Sequence, residues 1–264
     1  ALNLDGAGTL SILAALPNSI ATINGTNSSA NLTLTSGTSG STITGGSGND
    51  EITLTGGTNN VTSGDGNDTI NLSTGADTVN TGSGNDIVVA AAGTNNISTG
   101  ANNDQVTISG GTNTVITDTG SDTVTAAAGT NNVTTGASSD QITLSGGNNT
   151  VNSGASNDQF TISGGTNNID TESGNDQITI SGGNNTIVTG NNNDVISAST
   201  GFYNIDTGSG NDQITLTGGT NTVVAGNNND TVNASGGNND IDTDAGGDQV
   251  VLTGGTNDVN TGAG

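Results

Sequence analysis

Asp140-Gln141-Ile142-Thr143-Leu144-Ser145-Gly146-Gly147-Asn148-Asn149-Thr150-Val151-Asn152-Ser153-Gly154-Ala155-Ser156-Asn157-Asp158 holds one full period of the pattern that governs this chain. Side chains alternate across a strand, so Ile142 and Leu144 share one side and Gln141 and Thr143 the other. Gly146 and Gly147 then mark a turn, Val151 and Ser153 repeat the alternate spacing, and Gly154 marks a second turn. Eighteen residues after Asp140 the unit restarts at Asp158. Each unit reads as strand, turn, strand, turn. A helix is excluded by the lack of a 3.6-residue period and by the Gly, Asn and Thr in every window.

Working outward, the same aspartate recurs without a miss at Asp50, Asp68, Asp86, Asp104, Asp122, Asp140, Asp158, Asp176, Asp194, Asp212, Asp230 and Asp248. A Val or Ile (once Phe160) sits two residues after each, and again nine residues later, from Ile52 to Val259. A second apolar row runs from Leu54 to Leu252; its counterpart on the other strand is Ser or Thr apart from Ala225. The expected fold is all-β: a parallel β-roll, or β-solenoid, of 18-residue coils with two short strands and two Gly-rich turns each. About twelve coils over residues 30–264, stacked ~4.8 Å apart, would span ~60 Å. Residues 1–29, with a dense apolar cluster and the lone Pro17, read as a capping or subunit-contact segment carrying a degenerate repeat.

Composition explains why repetition is needed. The 264 residues carry 24 carboxylates, a formal charge of −24, only 28% apolar residues, and no Lys, Arg, His, Cys, Met or Trp. A non-repetitive chain of this kind would stay disordered. With no cationic side chain it has nothing to offer nucleic acid or an anionic membrane, and no apolar run reaches the ~20 residues of a membrane helix. An enzyme is not expected: acid–base work would fall to carboxylates alone, and a regular roll offers no cleft or small-molecule site.

Stacking sets the repeat carboxylates roughly 5 Å apart, where two charges repel by about 3 kcal/mol at an effective dielectric near 20. Something cationic must sit among them at neutral pH, and the chain cannot supply it. An oxygen-only donor set with flexible turns suits Ca²⁺, whereas zinc or copper would want His or Cys. The twelve aspartates are therefore the candidate metal ligands, with several Ca²⁺ along one edge, in the eleven intervals from Asp50 to Asp248. The alternative is a solvated Asp row capping turns through Asx bonds.

Gly45-Gly46-Ser47-Gly48-Asn49-Asp50-Glu51-Ile52-Thr53 resembles the nine-residue motif of the repeats-in-toxin (RTX) family in full, and the segments ending at Asp68, Asp86 and Asp212 resemble its core. The resemblance covers roughly residues 30–264. It implies a right-handed β-roll, Ca²⁺ held between turns by Asp carboxylates and backbone carbonyls, secretion in an unfolded state, and folding in extracellular calcium. The chain departs from that pattern in its alternate turns, where Asn59, Asn95, Asn113, Asn131, Asn149, Asn167, Asn185, Asn221, Asn239 and Asn257 take the Asp slot and Asp77 alone is acidic. One calcium edge and one self-bonding amide edge are expected. Several calcium turns also lose glycine, and three gain an acid: Asp118, Glu172 and Asp244.

These features point to an extracellular or bacterial cell-surface structural protein. It would be a surface-layer, filament or biofilm-matrix subunit that self-associates head-to-tail into a filament or lattice, or meets cell-surface polysaccharide through Ca²⁺. The alternative is a calcium-dependent folding, secretion or stalk module of a larger exoprotein or adhesin. Ice binding is the third reading, weakened because the outward row Thr107, Thr125, Thr143, Thr161, Thr179 is flanked by glutamines and fails at Asn71 and Val89.

Overall fold

A computed structural model describes residues 1–12 and 14–262. Leu13, Ala263 and Gly264 lie outside the described residues. The described residues form 27 strands, numbered β1 to β27 in chain order, and no helix. Every strand pairing is parallel. The chain divides into two compact units, Ala1–Thr135 and Gly136–Gly264.

In the second unit, β14 (Gln141–Leu144) pairs with β16 (Gln159–Ile162), and β15 (Asn148–Asn152) with β17 (Thr166–Asp170). Ile142 lies against Phe160, Leu144 against Ile162 and Val151 against Ile169, each an 18-residue step. Alternate strands continue in the same register to β27 (Thr256–Asn260), so each unit of sequence contributes one strand to each of two stacks. The expected all-β parallel solenoid of 18-residue coils is what forms. Two-residue alternation and the coil period together fix the register, because a one-residue slip would turn every apolar side chain outward.

The first unit is built alike from β3 (Thr42–Gly46) and β4 (Glu51–Thr53) onward. Ahead of these, β2 (Thr22–Thr35) is long enough to pair with both. β1 (Leu2–Ile12) runs parallel to β2 with a register shift between Asn3 and Asp5. Stacking thus begins ahead of residue 30, and β1 covers Ile23, Leu32 and Leu34, which are buried.

The core between the stacks is thin. Its Val, Ile and Leu side chains are almost fully buried, from Ile23 to Ile241, each worth about 1.5–3 kcal/mol. No large aromatic core is needed, because each coil covers the next. From Asp68 to Asp230, the turns that lead into each aspartate hold two left-handed residues. Where glycine is missing from one of these positions it remains at the other: Asn192 (φ 85°) is preceded by Gly190, and Glu172 (φ 60°) is followed by Gly174. A side chain at Gly190 would meet the Glu172 carbonyl at 1.9 Å, so that glycine cannot be exchanged. Outward positions are mostly Thr, Asn and Gln, with exposed aliphatics at Ile87, Ile116, Val188, Val195 and Val251 and with Phe202 exposed at 64%.

Replacing the buried Leu144 by Ala is expected to cost roughly 2–5 kcal/mol, while Thr143→Ala on the outward face stays within about 0.5 kcal/mol. Urea unfolding of the two variants checks this; equal losses would contradict the assigned strand faces.

Candidate metal centre

Each repeat aspartate sits in the turn that feeds an even-numbered strand, and its carboxyl points into the coil. From Asp50 to Asp230 the row is 1–3% exposed, and Asp248 is half-buried. The solvated row considered from sequence is therefore not what forms. The carboxylates do cap backbone, but across coils. Asp50 N–H donates to Asp68 Oδ1 at 2.7 Å, and Asp68 to Asp86, Asp86 to Asp104 and Asp104 to Asp122 at 2.8 Å. In the second unit the same bond links Asp140, Asp158, Asp176, Asp194, Asp212, Asp230 and Asp248, at 2.8–3.0 Å. Asp50 Oδ1 takes Leu32 N–H at 2.8 Å. The structure thus brings together all twelve sequence-predicted residues in rows, five in the first unit and seven in the second.

One oxygen of each accepting carboxylate is thereby used. The other, Oδ2, has no hydrogen-bond donor in Asp50, Asp68, Asp86, Asp104, Asp158, Asp194, Asp212 or Asp230. A buried carboxylate oxygen without a partner is costly. The cost appears in the acidities. Burial pushes Asp68, Asp158 and Asp194 up to about 7, and Asp50, Asp104 and Asp230 up to about 6, from an ordinary 3.8. Asp86, Asp122, Asp176 and Asp212 are also raised, again first by loss of water around the charged form. Repulsion between successive aspartates, the main cost expected from sequence, is the smaller effect.

Beside the carboxyls runs the second-strand hydroxyl row, five residues earlier in the chain: Ser63 by Asp68, Thr81 by Asp86, Thr99 by Asp104, Ser153 by Asp158, Thr189 by Asp194 and Thr207 by Asp212. These hydroxyls hold the acidities down somewhat. Several nevertheless donate elsewhere, to the carbonyl of the matching residue one coil on: Thr81 to Thr99 at 3.0 Å, Thr207 to Ala225 at 2.9 Å.

The opposite edge has the same backbone and a different heteroatom. Asn95 Nδ2 donates to Asn113 Oδ1, and Asn113 to Asn131, both at 2.8 Å. Asn149 reaches Asn167 at 2.7 Å and Asn167 reaches Asn185 at 2.6 Å, as Asn221 does Asn239 and Asn239 does Asn257. Each amide also donates to the carbonyl three residues back, as Asn149 does to Gly146 at 3.0 Å. The expected amide edge is present and bonds to itself except beside Asp77 and Tyr203. Tyr203, 18 residues after Asn185, was missed from the sequence row. Its hydroxyl donates to Thr200 O at 2.5 Å, and Asn221 Oδ1 is left without a donor. A third row, also missed, lies one residue before each aspartate. Asn67 N–H donates back to Asn49 Oδ1 at 2.9 Å, and Asn211 to Asn193 at 2.7 Å. Its signal was the same 18-residue spacing.

Asp118, Glu172 and Asp244 take the left-handed position four residues before an aspartate. Glu172 Oε1 accepts from Asn152 at 2.7 Å, and the backbone N–H groups of Glu172 and Asp244 cap Asp170 and Asp242 at 3.1 Å. The contacts of Glu172 and Asp244 are surface contacts, whereas the charge of Asp118 acts on the buried row by adding to the raised acidity of Asp122. No three acids cluster as a metal cage among the described residues. What the row does offer, at Asp50, Asp68, Asp86, Asp104, Asp158, Asp194, Asp212 and Asp230, is an unpaired buried carboxylate oxygen amid hydroxyl and backbone carbonyl oxygens, without a nitrogen or sulfur donor. That donor set fits a hard cation such as Ca²⁺, which accepts mixed carboxylate and carbonyl oxygens.

Matches to the family described as the RTX calcium-binding nonapeptide repeat run in overlapping stretches from residue 36 to residue 250. The chain belongs to that family. Among curated proteins none matches this chain. A solved structure with a similar fold is the X-ray crystal structure of a hyperactive, Ca²⁺-dependent, β-helical antifreeze protein from an Antarctic bacterium. The TM-score is 0.52 at 20% identity, covering 99% of this chain and 78% of that one. The expectations of RTX repeats and a β-solenoid are met.

Raised acidities in the folded state mean that it binds more protons than the unfolded chain between pH ~4 and ~7. Their stabilising contribution is complete below the unfolded value of 3.8 and is lost as pH rises through about 7. In chelator, the urea midpoint is accordingly expected to fall between pH 5 and pH 8. A midpoint that rises over this range would contradict the buried, donor-free placement of Oδ2.

Proposed function

We propose that this chain is a secreted structural protein whose coils are tied together by calcium along the carboxylate edge. One observation carries the reading. Two edges of the same solenoid occupy equivalent turns, and one uses amides that bond to each other while the other keeps carboxylates that cannot. If capping backbone N–H groups were the whole task, Asn would serve on both edges, since Asn59 Oδ1 accepts Ser41 N–H at 2.9 Å as an aspartate would. Negative charge buried row after row is of use only with a cation. The ligands would be the Oδ2 atoms of Asp50, Asp68, Asp86, Asp104, Asp122, Asp140, Asp158, Asp176, Asp194, Asp212, Asp230 and Asp248, with turn carbonyls completing each shell.

Calcium at extracellular levels would then serve as the folding signal, keeping the chain unfolded until it leaves the cell. Family membership supports an extracellular site, because RTX repeats occur in secreted proteins. The largely polar outward faces suit a surface-layer, filament or matrix subunit that meets its own copies or surface polysaccharide. Ice binding has one observation in its favour, an outward column in which Asn60, Thr78, Asn96, Thr114, Asn132 and Thr150 alternate coil by coil within their units. Phe202 and Asp240 break the face that carries this column, and no thermal hysteresis is expected.

Circular dichroism tests the calcium reading. Above pH 7, where the row is ionised, the wild-type chain should lose β-structure in EDTA and regain it with Ca²⁺ but not Mg²⁺, which demands a tighter octahedral shell. A variant with all twelve aspartates changed to Asn should stay β-rich in EDTA and ignore calcium. Retained calcium dependence in that variant would remove the carboxylates from the site. Electron microscopy of the calcium-loaded protein should show filaments or lattices; monodisperse particles would favour a module of a larger exoprotein.

A further inference from the structure

The hydroxyl row beside the carboxylates is a feature that the repeat motif does not require. Its position is the first of the nine-residue motif, which is glycine at Gly45 in the segment that resembles the motif in full. In the following coils it is Ser63, Thr81, Thr99 and Thr117, and later Thr171, Thr189 and Thr207. All of these side chains are 0% exposed. A fully buried hydroxyl must find its partners within the protein.

We propose that this row supplies a ligand oxygen to the cation, so that a complete site joins Asp Oδ2 to the Ser or Thr Oγ five residues earlier. This rests on the calcium reading above. A hydroxyl has one proton and two lone pairs. The proton of Ser63, Thr81, Thr117, Thr189 and Thr207 is directed along the stack, to a backbone carbonyl 2.9–3.3 Å away on the next coil. The lone pairs are left on the side of the carboxyl. At Asp68, Asp86, Asp194 and Asp212, Oγ and Oδ2 are then two neighbouring acceptors with no hydrogen bond between them, an arrangement that a cation completes. Thr99 Oγ has no hydrogen-bond partner, and neither does Asp104 Oδ2 beside it. At Thr171 the hydroxyl touches both Asp176 Oδ2 and the Thr189 carbonyl, and its single proton cannot serve both. Being neutral, a hydroxyl adds a hard oxygen to the shell without adding to the charge of −24.

The chain contains its own contrasts. At Asp50 the position is Gly45, and a Cβ there would lie 1.9 Å from Asp50 Oδ2, so that carboxyl fills the space a hydroxyl residue takes elsewhere. At Asp230 the position is Ala225, buried and without a hydroxyl. These two coils are the incomplete sites, and cation binding along the row is graded rather than uniform.

The test uses the full chain carrying T81V, T99V and T189V together, which removes three hydroxyls at nearly constant shape, and the matching T81S, T99S and T189S chain, which keeps them. Each is titrated with CaCl₂ by calorimetry at neutral pH and unfolded by urea in chelator at pH 5, where the protonated row keeps the metal-free chain folded. The Val chain is expected to show three sites lost or weakened about ten-fold, the order of one ligand or hydrogen bond. The Ser chain should bind as wild type does. Ala225→Thr should tighten one site. Wild-type stoichiometry and affinity in the Val chain, with only its chelator stability lowered, would overturn the proposal by showing hydroxyls that merely bond the backbone. A wild-type chain that takes up no calcium would instead overturn the reading on which the proposal rests.

Discussion

A buried carboxylate oxygen that no donor reaches is the constraint on which the rest of this structure turns. Aspartates such as Asp86 and Asp212 give Oδ1 to a backbone N–H of the neighbouring coil and turn Oδ2 toward oxygens. Nowhere in the chain is there a Lys, Arg or His to answer it. The protein therefore leaves a repeated electrostatic debt that only a proton or a metal ion can settle. The raised acidities of the row are the proton's share, and the family's calcium is the other. A fold this thin, with two apolar pairs or fewer per coil, has little other stability from which to carry an unpaired charge.

The amide edge shows what the same geometry does when the heteroatom is right. An Asn offers a donor and an acceptor at once, so a stack of them closes on itself with neither charge nor solvent. Two interruptions confirm the logic from inside the molecule. Asp77 accepts from Asn59 through both N–H and Nδ2, at 3.0 and 2.8 Å, but cannot donate onward, and Asp77 Oδ2 and Asn95 Oδ1 are left without donors. Tyr203 sends its hydroxyl to its own turn and strands Asn221 Oδ1 in the same way. One wrong atom breaks a ladder at one step, and the coils on either side keep their bonds.

Much of this was legible in the sequence. Ile142, Leu144 and Val151 at their spacings state the strand faces, Asp140 to Asp158 states the coil, and the Asn row states that one edge is neutral. Tyr203 escaped because an aromatic does not look like an amide until its position is counted. The row at Asn49 and Asn67 escaped because an exposed Asn before an Asp reads as turn chemistry, and its bond runs to a residue 18 positions away. The hydroxyl row was seen as the polar half of an inward face. What it faces was not visible, since Thr81 and Asp86 lie on different strands and meet only across the turn.

The sequence by itself determined the repeat, the strand register, the parallel stacking and the chemistry of both edges. Those follow from period and residue type, and an 18-residue repeat of alternating apolar residues has one way to bury them. Only the tertiary structure decided that the aspartates point inward rather than to solvent, that burial outweighs mutual repulsion in raising their acidities, and which oxygen of each is spoken for. The reason is physical. Desolvation and hydrogen-bond satisfaction depend on what fills the space around a group, and for each carboxyl that space is made by the neighbouring coils and the opposite strand, which no local stretch of sequence contains.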